Sequence, residues 1–293
     1  MTARRGTVLI TGTSSGIGLA TAVTAARAGF SVVATARDPD GAHALREAAG
    51  EAGVTLDLRR LDVTDEESVA TCLQGVRDTY GRLDAVVNNA GISNFDPTME
   101  MSTMEALRAN LEVNFFGVVA VSRVAMPLLR ACGGRLLSVG SVHGVVGQPF
   151  NEAYAAAKFA VEGFMESLAP VAARHGVKVC VIVPGFVRDT RFGYFPDVNR
   201  ETIRAASGPY APTFADYLDR VVGQGWGGAS QSMWEVAEVV VRTLTEEDPP
   251  FRVPTSDRVA EYLAHKLADG DGSAVQALAR TWVAGPEATV RPA

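Results

Sequence analysis

The chain has 293 residues, of which 47% are hydrophobic and 20% charged, and its formal net charge is −6. This length suits one α/β domain with additions, and the composition is that of a folded protein with a sizeable core. The negative charge argues against a basic surface for nucleic acid, and the apolar runs are too short to predict a membrane span.

The cysteines and histidines are scattered and show no metal-ligand or redox spacing. Cys72, Cys132 and Cys180 are therefore expected to be free thiols, and no metal site is predicted. No secretory signal is recognisable in the first residues, which predicts a cytoplasmic protein.

Short β-branched runs alternate with amphipathic helical stretches through the first two-thirds of the chain. The predicted strands are Thr7–Thr11, Ser31–Ala36, Thr55–Arg60, Ala85–Asn88, Gly134–Val139 and Lys178–Val183. The predicted helices include Ile17–Ala28, Asp40–Ala52, Glu66–Tyr80, Met104–Ala131 and Asn151–His175. Because the strands are apolar throughout, both of their faces are expected to be buried, as in a doubly wound parallel sheet of the α/β class.

The pattern changes at about Arg188. Residues 188–231 are rich in glycine, proline and aromatic residues and lack a clear period, so we interpret them as a substrate-side insertion that forms a mobile lid over an apolar pocket. Its aromatic residues are Phe192, Tyr194, Phe195, Tyr210, Phe214, Tyr217 and Trp226, and its hinge glycines are Gly223, Gly225, Gly227 and Gly228. The alternative is that these rings complete a rigid core.

The last part of the chain, residues 232–293, is predicted to be a helical extension of the core at 6–187, within one domain. A helix begins at Ser232, where Ser232 and Glu235 have the spacing of a capping box, and runs to Glu247. A short strand at Phe251–Val253 and two helices, at about 257–267 and 272–284, follow.

A glycine-rich run, Thr11–Gly18, lies between the first predicted strand and the first helix. Gly12 permits a tight turn, while Gly16 and Gly18 let the backbone approach a pyrophosphate at the helix N-terminus, where free N–H groups favour negative charge. Glycines also occur in ordinary turns. The flanking strand and helix favour a dinucleotide site here.

The end of the second predicted strand bears on the coenzyme. An NAD site needs a carboxylate about 20 residues beyond the glycines, and Ala36 cannot provide it. Arg37 can pair with a 2′-phosphate, helped by the hydroxyls of Ser14 and Ser15. The alternative is a solvated Arg37 with Asp38 on the ribose, although Asp38 comes one or two residues late. NADP(H) is therefore predicted.

A tyrosine and a lysine provide candidate acid–base chemistry. Tyr154 and Lys158 lie four residues apart in a helical stretch, so their side chains share one face. A free phenol titrates near about 10, and a nearby ammonium, together with the positive nicotinamide of an oxidised coenzyme, is expected to lower that value. Ser141 follows the fifth predicted strand, at the sheet edge where ligands bind, and can hold a substrate oxygen. Asn114 is interpreted as a structural hydrogen-bonding group compatible with a proton-relay water.

Together these motifs resemble the short-chain dehydrogenase/reductase family of compact single-domain type, over roughly Gly6 to Thr190. The resemblance implies a Rossmann fold, hydride transfer at a nicotinamide, and a catalytic tetrad of Asn114, Ser141, Tyr154 and Lys158, in which Lys158 also bonds the ribose. The expected cofactor-binding residues are Gly12, Ser14, Ser15, Gly16, Ile17, Gly18, Arg37, Asp62, Val63, Asn89, Ala90, Gly91, Tyr154, Lys158, Pro184, Gly185, Val187 and Thr190.

Two further runs, Gly147–Asn151 and Lys158–Gly163, resemble the branch that contains 17β-hydroxysteroid and retinol dehydrogenases. This implies a secondary alcohol or ketone on a bulky apolar substrate (steroid-, retinoid- or polyketide-like) and a homodimer or homotetramer. An epimerase or dehydratase acting on a nucleotide sugar, and a non-catalytic NADP(H)-binding regulator, are the alternatives. The glycine spacing disfavours the first, and the complete tetrad disfavours the second.

The sequence departs from the family pattern at two places. Thr190 comes one residue later after Pro184 than the pattern has it, which leaves its contact with the nicotinamide carboxamide open. Pro170 lies inside the helix that bears Tyr154, and it predicts a kink or an early end there because proline lacks an N–H and clashes with the preceding turn. Since that helix is commonly a dimer surface in the family, the geometry of an oligomer is also left open.

Overall fold

A computed structural model describes residues 5–92, 98–190, 197–220 and 230–282 of the chain. The strands are β1 (Thr7–Ile10), β2 (Ser31–Ala36), β3 (Asp57–Arg60), β4 (Ala85–Asn88), β5 (Arg135–Val139), β6 (Lys178–Val183) and β7 (Arg252–Pro254). They form one sheet in the order β3-β2-β1-β4-β5-β6-β7, and each neighbouring pair is parallel. The predicted doubly wound parallel sheet is confirmed.

Helices cover both faces of the sheet. They are α1 (Gly16–Arg27), α2 (His43–Glu51), α3 (Glu66–Tyr80), α4 (Met104–Leu111), α5 (Gly117–Cys132), α6 (Glu152–Ala173), α7 (Asp197–Ala206), α8 (Ala211–Arg220), α9 (Met233–Thr245), α10 (Asp257–Ala264) and α11 (Ser273–Trp282). One core cluster packs α3, α5, α6 and α10 on one face, and another packs α1, α2 and α9 on the other. From β1 the chain adds β2 and β3 towards one edge of the sheet, and it then adds β4 to β7 towards the other edge. The crevice between β1 and β4, where this order changes, is where open α/β folds bind ligands.

Helices α4 and α5 are continuous through a π-helical turn, Glu112–Phe116. The joined helix Met104–Cys132 is long and apolar enough, by length and composition, to cross a membrane. This is weak support for a span, because the core helix of a soluble protein passes the same test. The absence of a span thus stays a prediction.

Helix α6 does not end at Pro170 but continues to Ala173. Pro170 has no N–H to donate to the carbonyl of Glu166, which is the acceptor one turn earlier. The side-chain nitrogen of Gln276, in α11, donates to that carbonyl at 2.9 Å instead. A residue from the C-terminal extension therefore supplies the hydrogen bond that the proline removes.

The insertion at 188–231 contains more regular structure than its sequence pattern predicted. Its two ends are joined, because Arg188 N–H donates to Gln231 O and Gln231 N–H donates to Phe186 O, both at 3.0 Å. Between them lie α7 and α8, and Phe214 of α8 is fully buried with its ring centre 5.1 Å from that of Phe150. For this ring the structure supports the rigid-core alternative.

Much of the predicted lid lies outside the described residues, including Phe192, Tyr194, Phe195, Trp226 and the four hinge glycines. The mobile lid therefore stays a prediction. The capping box at Ser232 and Glu235 is present, and it begins α9 as expected.

Candidate active site

The turn between β1 and α1 has glycines at two positions where the structure leaves no room for a side chain. Gly12 has a φ of +68°, and a Cβ there would lie 2.7 Å from the Cα of Ala90. A Cβ on Gly18 would lie 2.3 Å from the side-chain nitrogen of Asn89. A side chain at either glycine would force the turn away from the segment that follows β4.

The N-terminus of α1 has features that favour binding of an anion. Ser15 is its N-cap residue, but the Ser15 side chain makes no capping hydrogen bond and the first turn carries no acidic residue. The first N–H groups of the helix and its dipole therefore favour a negative ligand. Ser14 is exposed and Ser15 half-buried, while the neighbouring Ile17 is also half-buried.

A network that the sequence did not predict fixes this turn against the segment after β4. The Thr11 hydroxyl accepts hydrogen bonds from the N–H groups of Asn89 and Ala90, both at 2.9 Å. The Asn89 side chain donates to the carbonyls of Thr11 and Gly12 at 2.9 and 3.0 Å. Two segments of the expected cofactor site, the glycine turn and Asn89–Gly91, are thus one unit.

The two candidate ribose residues after β2 differ in their surroundings. Arg37 is exposed, and among the described residues it forms no hydrogen bond or ion pair. Asp38 accepts a hydrogen bond from the N–H of Asp40 at 3.1 Å, which directs its carboxylate to its own turn. Arg37 is therefore open to a ligand, while one oxygen of the exposed Asp38 carboxylate is held by its own turn.

Asp62 and Val63 follow β3 beside Arg37. Burial raises the pKa of Asp62, but hydrogen bonds from Thr64 and the charges of Arg37 and Arg60 outweigh it and hold that pKa below its usual value. Thr64 donates to Asp62 from its N–H at 3.0 Å and from its hydroxyl at 2.8 Å. Asp62 is therefore a fixed carboxylate at the expected adenine end of the groove.

Ser141 lies just beyond β5, at the carboxyl edge of the sheet. Its hydroxyl accepts the N–H of His143 at 3.1 Å and is hydrogen-bonded to the Tyr154 hydroxyl. The Nδ1 atom of His143 lies 3.2 Å from Val146 O, which places the imidazole proton on Nδ1. Burial lowers the pKa of His143 to about 4, so this ring is neutral at physiological pH.

Tyr154 and Lys158 lie one turn apart on α6, and both are buried. Burial raises the pKa of Tyr154 to about 12, although its hydrogen bond with Ser141 acts in the other direction. Burial also lowers the pKa of Lys158 to about 8. The Lys158 ammonium donates to Val139 O at 2.9 Å and lies 5.6 Å from the centre of the Tyr154 ring.

The expected lowering of the Tyr154 pKa by the Lys158 ammonium, together with the positive nicotinamide of an oxidised coenzyme, stays a prediction because it needs the bound coenzyme. In the chain alone, burial is the largest cause and raises the pKa of Tyr154. The phenol is therefore protonated at neutral pH.

Asn114 lies in the π-helical turn and is fully buried. Its side-chain oxygen accepts the N–H of Ile92 at 3.1 Å, and its side-chain nitrogen donates to Ile92 O at 2.9 Å and to the Asn110 side chain at 3.0 Å. The amide thus holds the segment after Gly91 in place. Both N–H groups of this amide are used, while its oxygen, which can accept two hydrogen bonds, accepts one from the protein.

The segment Pro184–Thr190 follows β6 and closes the site on the other side. Val142 N–H donates to Pro184 O at 3.0 Å, which ties this segment to the Ser141 loop. Thr190 is buried, and its hydroxyl donates to Val187 O at 3.1 Å. Its methyl carbon faces Gly16, and a Cβ added to Gly16 would lie 3.4 Å from that methyl carbon. Thr190 therefore lies beside the glycine turn.

Lys266 supports the site through a residue that is distant in the chain, so no local sequence signal indicates its role. Its ammonium donates to Val145 O at 2.7 Å, in the loop that Ser141 begins. It also lies 4.5 Å from the centre of the Phe159 ring. The C-terminal extension thus supports the loop that carries the serine.

The described residues fit a dinucleotide that runs from Arg37 and Asp62, past the glycine turn, to Ser141 and Tyr154. The glycine turn leaves space that any Cβ would fill, and the start of α1 offers positive charge. Among the residues that the structure describes, there is no group of three or more His, Cys, Asp or Glu side chains that could hold a metal ion.

Comparisons with known proteins agree with this geometry. The family profile described as short chain dehydrogenase matches residues 6–194. The chain is 36% identical over 281 residues to retinol dehydrogenase 8 of Bos taurus, which covers 91% of this chain and 86% of that protein. It is 37% identical over 276 residues to 17-beta-hydroxysteroid dehydrogenase type 1 of Homo sapiens, which covers 92% and 83%. A crystal structure of a short-chain dehydrogenase from Streptomyces avermitilis matches with a TM-score of 0.71 and 27% identity, covering 97% of each chain.

Proposed function

Because the chain belongs to the short-chain dehydrogenase/reductase family, in the branch that includes hydroxysteroid and retinol dehydrogenases, we propose that it interconverts a secondary alcohol and a ketone with NADP(H). The observation that carries the proposal is the buried Ser141–Tyr154 hydrogen bond, with Lys158 one turn along α6. This group lies at the carboxyl edge of the sheet, where the glycine turn also lies.

Coenzyme binding is proposed to use three separate features. The N-terminus of α1 would bind the pyrophosphate, and Asp62 with Val63 would contact the adenine. Arg37 would pair with the 2′-phosphate of NADP(H), since the arginine is unpaired among the described residues while Asp38 is bonded to its own turn. A bound nicotinamide supplies the hydride, or accepts it.

In the reducing direction, Tyr154 is proposed to donate its phenolic proton to the carbonyl oxygen of the substrate. Ser141, already bonded to that phenol, would hold the same oxygen in place. Proton donation leaves a buried phenolate, which is unfavourable without a nearby positive charge. Lys158 provides this charge below a pH of about 8, where its pKa lies.

A bulky apolar ketone is the proposed substrate class. The names of the relatives include a retinol dehydrogenase and a hydroxysteroid dehydrogenase. In this chain Phe150 and Phe214 form a buried aromatic contact between the Ser141 loop and α8. A site built next to these rings would favour an alicyclic or polycyclic carbon skeleton.

The test is NADPH oxidation, followed by absorbance, with a panel of steroid, retinoid and bicyclic ketones. Tyr154→Phe deletes only the hydroxyl, so turnover is expected to fall by at least about 100-fold while NADPH still binds. Tyr80→Phe is the matched control. Tyr80 ends α3, and its hydroxyl donates to Asp57 of β3, so this variant also removes one tyrosine hydroxyl but not the one assigned to the chemistry. Near wild-type turnover by Tyr154→Phe would contradict the assigned chemistry, and a preference for NADH would contradict the assigned coenzyme.

A further inference from the structure

The segment that carries Thr190 contains one residue more than the family pattern has after Pro184. The structure accommodates the extra length in a tight turn at 187–190. The Thr190 hydroxyl closes this turn by donating to Val187 O at 3.1 Å, and the two residues between them, Arg188 and Asp189, are exposed. Thr190 itself is buried. The extra residue therefore lies in the exposed part of the turn, before the threonine.

The 187–190 turn is bonded to the residues that begin α9. Arg188 N–H donates to Gln231 O at 3.0 Å, and its guanidinium donates to Ser230 O at 2.5 Å. The Asp189 carboxylate accepts the N–H of Met233, the first residue of α9, at 2.7 Å. The first N–H groups of a helix have no partner within the helix, and a negative charge is favourable at that end. Asp189 thus provides the last of these bonds before Thr190.

Helix α9 is in turn packed against α1, the helix that begins at the glycine turn. Leu19 of α1 and Val240 and Leu244 of α9 belong to the same buried core cluster. Thr190 completes the arrangement, because its methyl carbon faces Gly16, the first residue of α1. The 187–190 turn, α9 and α1 therefore each contact the other two, and Asp189 is the side chain that joins the turn to α9.

This arrangement bears on the coenzyme because of where Gly16 lies. The first N–H groups of α1 are the proposed pyrophosphate site, and Thr190 lies directly beside them. If the 187–190 turn were released from α9, Thr190 could move relative to the glycine turn and alter the shape of this site. The pyrophosphate is common to NADPH and NADH, so such a change would affect both coenzymes.

We propose that Asp189 is a positioning residue for coenzyme binding. It anchors the 187–190 turn to the N-terminus of α9 and so holds Thr190 against the glycine turn, where Thr190 forms one wall of the pyrophosphate site. Asp189 does not distinguish the coenzymes, whereas Arg37 is assigned to the 2′-phosphate that only NADP(H) has. The inference rests on the proposed function, because it takes the N-terminus of α1 as the pyrophosphate site.

The experiment is calorimetric titration of the wild type and Asp189→Ala with NADPH and with NADH. Asp189→Ala is expected to weaken the binding of both coenzymes by about fivefold, the scale of one hydrogen bond. Asp189→Asn keeps an oxygen that can accept the Met233 N–H, so its affinities should stay within about twofold of the wild type. Rescue by this variant would assign the effect to the hydrogen bond.

Ser232→Ala is the matched control, because it removes the capping box of the same helix and leaves the Asp189 bond in place. Urea unfolding of the coenzyme-free proteins should show that Ser232→Ala and Asp189→Ala both lower the free energy of unfolding. Only Asp189→Ala should weaken coenzyme binding. This difference separates positioning of Thr190 from a general loss of stability at α9.

The inference is wrong if Asp189→Ala binds both coenzymes like the wild type, or if Ser232→Ala weakens them as much. A loss confined to NADPH also contradicts it, because the pyrophosphate is shared. In each of these cases the wild type still binds coenzyme, so the proposed function stands. A wild type that binds neither coenzyme contradicts the proposed function, and the inference fails with it.

Discussion

Tyr154 and Lys158 are the two residues at which burial and chemistry oppose each other. Burial favours the neutral form of each side chain, and it raises the pKa of Tyr154 to about 12 and lowers that of Lys158 to about 8. A protonated phenol at neutral pH suits an acid that donates to a carbonyl oxygen. The buried ammonium would stabilise the phenolate left behind in the proposed reaction, and with a pKa of about 8 it is charged at neutral pH.

The burial of Lys158 should be measurable as a pH dependence of stability. Between pH 8 and pH 10 the folded chain loses the Lys158 proton, whereas the unfolded chain, with a lysine pKa of about 10.4, keeps it. The unfolded state then binds more protons, so this residue makes the free energy of unfolding rise with pH, by at most about 1.4 kcal/mol per unit. Urea unfolding of the wild type and Lys158→Met over this range measures the difference.

Taking the difference between the two proteins removes the contributions of other groups, including Cys72 and Cys180, whose pKa values burial raises to about 11 and about 12. The phenol of Tyr154 contributes only as pH approaches about 10, where it begins to ionise in the unfolded chain, and this contribution is common to both proteins. Lys178→Met, at a partly exposed lysine, should show no such difference. Parallel pH profiles for the wild type and Lys158→Met would mean that the ammonium is not buried as described.

Arg37 gives the second prediction for a single residue. If it pairs with a 2′-phosphate, Arg37→Ala should weaken NADPH binding by about 10- to 100-fold, the scale of a charge-assisted hydrogen bond, and change NADH binding little. Calorimetric titration with both coenzymes measures this. Arg174→Ala, at an exposed arginine after α6, is the control for a general change in charge. Equal effects on the two coenzymes would contradict the pairing with the 2′-phosphate, and no effect on either would favour Asp38 as the ribose contact.

At the scale of elements, the C-terminal extension stabilises the helix that carries the acid–base pair. The Arg252 guanidinium, in β7, donates to Glu162 at 2.6 Å and contacts Glu166 at 3.4 Å, both on α6. Gln276 of α11 donates to the Glu166 carbonyl. A helix interrupted by Pro170 is thus held by two other elements.

A double-mutant cycle tests the role assigned to Gln276. Gln276→Ala removes the part-buried hydrogen bond to the carbonyl of Glu166, which should cost about 1 kcal/mol of unfolding free energy. Pro170→Ala restores an N–H that can donate to this carbonyl, so in that background the cost of Gln276→Ala should fall by at least half. Urea unfolding of the four proteins measures the coupling.

The control is Gln74→Ala, because Gln74 is exposed and bonded only to Asp78 one turn away. It should show the same small effect with and without Pro170. Additive costs for Gln276→Ala and Pro170→Ala would mean that Gln276 packs against α6 without replacing the lost hydrogen bond.

The elements differ in how well the sequence predicted them, and the reasons are physical. Strands β2, β4 and β6 are almost fully buried, and their predicted bounds match the structure residue for residue. The edge strand β3 is only half-buried and begins at Asp57, two residues later than predicted. Helix α3 also matches at both ends, because Asp65 caps it and Gly81 ends it in the left-handed conformation. In the insertion, α7 and α8 were missed, since both are short and glycine and proline separate them at Gly208–Tyr210.

For the candidate site, the sequence predicted residues with a motif or a special backbone, and it missed those that act through distant contacts. Gly12 and Tyr154 belong to recognisable local patterns. The support of the Ser141 loop depends on Lys266, 121 residues from its partner Val145. Only tertiary structure brings such groups together.

At the scale of the whole molecule, apolar side chains remain exposed on the helices of one face. Met104 is 59% exposed, Phe116 at the start of α5 is 51% exposed, and Phe159 of α6 is 38% exposed. We expect α6 to form a dimer surface, as the family resemblance implies, and Pro170 does not end this helix. Exposed aromatic side chains next to such a surface favour burial against a second copy of the chain.

The whole-molecule prediction is therefore that the protein is a homodimer or homotetramer in buffer without detergent, with two or four times the chain mass of 30.9 kDa. Phe116→Asp places a charge where an apolar contact would be, so it should shift sedimentation towards the monomer. Trp234→Asp is the control, since Trp234 is 38% exposed on α9, across the sheet. A monomer that needs detergent to stay in solution would instead favour a membrane contact for the apolar helix Met104–Cys132. A monomer in plain buffer would mean that these side chains are simply solvated.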